Sequence, residues 1–134
     1  MRSLVLLAFP AVLLSACTDS NETAEDKLER AAETGATVAG PLPAALGLSE
    51  AQLLDADLAG PDGKELGEVA QVVRDRDDKV DRLLVELDGI GPDRYVHVPV
   101  TGLKKTVRGD DIDLVTTMTK ADLEALPEVK LPAP

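Results

Sequence analysis

Aromatic side chains are almost missing from this chain. With no Trp, one Phe (Phe9) and one Tyr (Tyr95), it has no means to build the stacking platform on which single-stranded nucleic acid or sugars are bound. Cysteine is as scarce: the single Cys excludes an internal disulfide and cannot supply a zinc tetrad. Histidine also occurs once, as His97. A Ser–His–Asp site would have to pair it with Ser49, the one serine outside the N-terminal leader and linker. Cations are in deficit, with 14 Lys and Arg against 25 Asp and Glu and a net charge of −11, a balance that repels phosphate backbones. Nucleic acid is excluded as a partner, and no residue pattern marks a catalytic site, a cofactor or a resident metal. No apolar run reaches the ~20 residues of a bilayer-spanning helix.

What is present begins with an address. Residues 1–16 combine one cation at Arg2, an apolar run from Leu4 to Leu14 and then small residues, the design of a cleaved secretory signal helix. Leu14-Ser15-Ala16-Cys17 resembles the bacterial lipobox. In proteins with that motif the Cys thiol is alkylated by a diacylglycerol, and cleavage leaves the Cys as the new N-terminus. Each buried methylene contributes about 0.8 kcal/mol, so two or three acyl chains hold such a protein at the bilayer. Cys17 is the expected lipidation site. In lipoproteins of this kind Asp at the next position signals inner-membrane retention, so Thr18 points to the outer membrane if the cell has one, with the domain facing the periplasm.

Residues 17–43 read as the lipidated Cys and an acidic linker that ends in Gly40-Pro41-Leu42-Pro43. Asn21 is placed to cap a short helix from Glu22 to Thr34, with Asp26 and Arg30 paired at i, i+4 and Gly35 as its stop. Leu28 is the one bulky apolar residue in that stretch. The expectation is therefore a flexible, partly helical tether holding the domain on the order of 25–30 Å from the membrane.

From residue 44 to 130 short runs of Val and Leu alternate with polar residues between evenly spaced turn clusters, which reads as all-β. Strands are expected at Ala51 to Leu58, Glu65 to Asp75, Val80 to Leu87 and Tyr95 to Val100, with shorter ones near Lys104 to Val107 and Ile112 to Val115. Leu83, Val85 and Leu87 share one face, with Arg82 and Glu86 on the other, and Val96, Val98 and Val100 point away from His97. Thr119 with Asp122 at N3 opens a short helix that Pro127 ends. Five or six strands closed into a small barrel, with that helix over one end, would protect their edges. Residues 131–134 are left as a disordered tail.

The order of these segments resembles the PRC-barrel family, the small β-barrel shared by the photosynthetic reaction-centre H subunit and a 16S ribosome maturation factor. Asp62-Gly63-Lys64-Glu65-Leu66-Gly67-Glu68-Val69 is similar to that family's opening, in which the first Gly turns the chain and the second allows close backbone packing. Val80 to Glu86, Tyr95-Val96-His97-Val98-Pro99 and Thr119 to Pro127 match its later segments in order, and together the matches cover about Leu48 to Glu128. Val100-Thr101 stands where many relatives carry a large side chain. The resemblance implies no catalytic residue; it implies a module that docks onto other macromolecules or acts as an adaptor.

Two further features fit simpler readings. Asp75, Asp77, Asp78 and Asp81 could offer oxygen ligands to a cation but lack the EF-hand glycine and terminal glutamate, and a solvated hairpin accounts for them. Leu46, Leu48, Leu53 and Leu54 suit either the core or a partner-facing patch. The functional expectation is a lipid-anchored envelope protein that binds an envelope protein partner without catalysis; an acidic periplasmic binder of cations or small ligands is the alternative. Cys17→Ser should abolish palmitate labelling and leave the protein unprocessed or soluble, and unchanged labelling would refute the lipobox.

Overall fold

The computed structural model describes residues 22–89 and 91–132; the signal segment and Cys17 lie outside them. Helix α1 (Ala24–Ala39) comes first. Thr23, not Asn21, caps it: the Thr23 hydroxyl accepts from the Asp26 N–H (3.2 Å), and the Asp26 carboxylate accepts from the Thr23 N–H (2.8 Å). Arg30 pairs with Glu22 rather than Asp26. The helix runs through Gly35 and ends at Gly40, whose φ of +65° suits a residue without a Cβ.

The expected loose tether is in this part a packed helix. Ala32 and Ala36 are buried, and a Cβ added at Gly35 would lie 2.9 Å from Glu50 Oε1. Small residues let the helix approach closely, which supplies the packing that a wide apolar stripe would otherwise give. Glu50 is itself buried and accepts a 2.7 Å hydrogen bond from the Arg74 guanidinium.

Strands β1 (Pro43–Ala45) and β2 (Leu48–Ser49) form a small hairpin. Helix α2 (Glu50–Leu54) then occupies the first half of the span expected to be the first strand. Ser49 Oγ accepts from the Gln52 N–H and Gln52 Oε1 accepts from the Ser49 N–H, a capping box that favours one helical turn over extension. Of the expected strand only Asp57 and Leu58 are extended, within β3 (Asp57–Ala59). The later elements follow the alternation closely: β4 (Glu65–Arg74), β5 (Val80–Leu87), β6 (Arg94–Pro99), β7 (Lys104–Arg108), β8 (Asp111–Val115), helix α3 (Lys120–Glu124) and β9 (Glu128–Val129). Thr119 and Asp122 cap α3 reciprocally, as their spacing predicts.

The molecule is β-rich with a few helices. Its main sheet has seven strands in the order β7-β8-β3-β4-β5-β6-β9, more than the expected five or six. β3 and β8 pair in parallel, and the other neighbours are antiparallel. The sheet is not hydrogen-bonded into a closed barrel, because β7 and β9 end the order without meeting. It nevertheless wraps one core: Leu58, Val69, Leu83, Val85, Val96, Val98 and Leu114 meet Leu53 of α2 and Leu123 of α3. Leu48 and Leu53 belong to that core and Leu46 and Leu54 pack against it, which decides the role of the leucine group. Leu84, on the face shared with Arg82 and Glu86, is also buried.

Bulges in the register of β4 against β5, between Val69 and Gln71 and between Val73 and Arg74, bend the long strand. Gly67 sits at the tightest point, where an added Cβ would run into the Glu86 carbonyl and lie 3.0 Å from Val85 Cγ1. Gly67→Ala should therefore cost about 2–3 kcal/mol in chemical denaturation. Gly89→Ala, at a position where a Cβ meets nothing within 4 Å, should cost less than about 0.5 kcal/mol, and equal costs would overturn the close-approach argument.

Candidate functional site

Period-two alternation places an acid beside a core residue in four neighbouring strands. Asp57 precedes Leu58, Glu68 precedes Val69, Glu86 follows Val85 and Asp113 precedes Leu114. The apolar member of each pair is buried, so the acids share the opposite face of the sheet. Strand register then aligns them. Asp57 stands opposite Glu68 on one side and Asp113 on the other, Glu68 stands opposite Glu86, and Glu86 stands opposite Tyr95 of β6.

Carboxyl oxygens of Asp57, Glu65 and Glu68 come within 4.8 Å of one another. Burial raises the pKa of Asp57, and the negative charges of Asp113, Asp111 and Asp88 raise it further. Glu65 is held above the ordinary carboxylate range chiefly by Asp57, then by burial. Arg108 supplies one counter-charge, 3.0 Å from Asp113. At the other end of the row burial pushes Glu86 up, an effect partly offset by the 3.1 Å hydrogen bond that the Tyr95 hydroxyl donates to it. Burial and the Glu86 charge raise the Tyr95 hydroxyl in turn.

Helix α1 lies over part of this face and adds acids of its own. Between helix and sheet runs a groove of about 460 Å³ whose walls include Glu25, Glu29, Glu33, Asp55, Glu68 and Glu86. Carboxylates so grouped can ligate a hard cation through oxygen or accept charge-assisted hydrogen bonds from an amine or guanidinium.

The residues singled out from the sequence are placed elsewhere. Cys17 lies outside the described residues. His97, opposite Leu84 in the middle of β6, has a buried Nδ1 without a hydrogen-bond partner among the described residues. Burial, then the Arg82 charge, lowers its pKa, which favours the neutral ring. Ser49 is occupied as the α2 cap, and the structure gives it no hydrogen bond to His97. In the Asp-rich hairpin, Asp75 Oδ1 accepts from the N–H groups of Asp77 (2.8 Å) and Lys79 (3.1 Å), so this carboxylate holds its own turn together.

The acidic row escapes sequence reading because it depends on which strands become neighbours; Asp57 and Asp113 meet through a parallel pairing across a long sequence separation. Among the described residues no helix is long and apolar enough to cross a membrane. Comparison with known proteins finds no family model and no curated protein that matches the chain.

Flanked by like charges in two strands, Asp57 should destabilise the fold. Asp57→Asn is expected to stabilise the protein by about 0.5–1 kcal/mol near pH 7. A carboxyl with a raised folded pKa binds its proton more readily folded than unfolded. Its penalty is therefore complete above the folded pKa and fades as pH falls through it toward the unfolded value. The gain should shrink when denaturation is repeated near pH 4; no gain near pH 7 would show that the row carries no repulsion.

Proposed function

We propose that this chain is a lipid-anchored cell-envelope protein, attached through Cys17 and facing the periplasm, whose domain is a non-catalytic protein-binding or scaffolding module of PRC-barrel type. The lipobox-like Leu14-Ser15-Ala16-Cys17 supports the anchor. One observation carries the module: β3, β4, β5, β6 and β8 all send side chains into one core. A sheet coiled around a filled interior, as in small barrels, leaves its polar groups on a surface suited to docking. Gly63 turns the chain at φ +78° and Gly67 permits the close approach to Glu86, the parts that the resemblance gives these two residues.

Crosslinking in intact cells followed by mass spectrometry tests the module. A reproducible envelope-protein adduct, lost when Cys17→Ser releases the chain from the membrane, is expected. No adduct beyond those of an unrelated lipoprotein would sink the reading.

The oxygen cluster of Asp57, Glu65 and Glu68 favours a second reading, a periplasmic cation binder. Calcium titration followed by NMR separates the two: saturable shifts at those three residues support it, and their absence removes it.

A further inference from the structure

Among the described residues, strand β7 is the basic edge of the main sheet in an acidic molecule. It pairs with β8 on one side and with no described residue on the other, so alternate N–H and C=O groups along that side lack a strand partner among the described residues. All five of its residues are exposed. Lys104 and Lys105 form no ion pair among the described residues, while Arg108 is shared with Asp113. Val107 is 59% exposed although it stands opposite Ile112, which packs on the core. The sheet thus ends with an apolar side chain that a further strand would cover.

Deepening the binding-module reading and resting on it, we infer that β7 receives an extended acidic segment of a partner protein by strand addition. Charge decides among the possible occupants. A second copy pairing antiparallel about Thr106 would set Lys104 against Arg108 and is repelled. A lipid surface cannot complete a backbone ladder. An incoming strand with carboxylates opposite Lys104, Lys105 and Arg108, and an apolar residue opposite Val107, satisfies charge, apolar cover and backbone together. Edge lysines ordinarily discourage indiscriminate strand pairing; here the same lysines would select for acid.

The probe is a blocked peptide carrying Glu-Val-Thr-Glu-Glu, titrated into the full-length isotope-labelled chain and followed by NMR. Saturable amide shifts confined to β7 and β8 are expected, with at least tenfold weaker binding to the Lys104→Glu, Lys105→Glu double variant. Both substitutions are at exposed positions and leave the core intact. A peptide of the same sequence with alternate amides N-methylated keeps the charges but cannot pair, and it should not bind. Shifts centred on the groove beside Glu25 and Glu86, equal binding of the N-methylated peptide, or no shifts at all would each overturn the assignment of β7. None of these outcomes alters the crosslinking result, so failure of the edge and failure of the binding-module reading are separately visible.

Discussion

β4 is the member on which the other layers rest. It pairs with β3 along its first half and with β5 along most of its length, and the Arg74 near its end holds buried Glu50 of α2. A ten-residue strand can serve partners in different directions only if it bends, and its bend depends on two bulges and on a residue without a side chain at position 67. Burial of the apolar half of each strand supplies the driving force, but backbone proximity at Gly67 sets the shape that burial can take. α1 repeats the device at Gly35, where missing bulk lets the helix reach Glu50.

Electrostatics work against this arrangement. The side of the sheet opposite the core gathers Asp113, Asp57, Glu68 and Glu86 across adjacent strands, and α1 lays further acids over them. Cross-strand pairs of like charge destabilise a sheet, so the stability comes from the core despite this face. Groups kept at such a cost are candidates for function. β7 carries Lys104, Lys105 and Arg108 within five residues, which makes that edge chemically opposite to the acidic face.

The sequence foretold the elements whose causes are local. β5 and β6 follow from alternation that places Leu83, Val85, Val96 and Val98 inward, and α3 follows from the Thr119–Asp122 spacing. α2 departs from the expected strand because its apolar run suits strand and helix alike, and the Ser49–Gln52 cap decides between them. α1 extends past Gly35, where the missing side chain leaves room for Glu50, a closeness between segments that no local propensity encodes. Leu84 is buried on the polar face for an equally non-local reason: its neighbours Gln71 and His97 come from the flanking strands. The acidic row required the pairing of β3 with β8, and local patterning says nothing of it.

The docking of α1 changes what the linker can do. Its first turn lies beside Asp93 and the β9 residues Glu128 and Val129, all around one shallow hollow. The chain consequently enters the domain close to where its last strand ends. With a lipid on Cys17, the remaining leash to Thr23 extends to at most about 20 Å. If the proposed anchor holds, a domain moored that closely would patrol only the water layer next to the headgroups, and a protein it engaged would have to come down to the membrane.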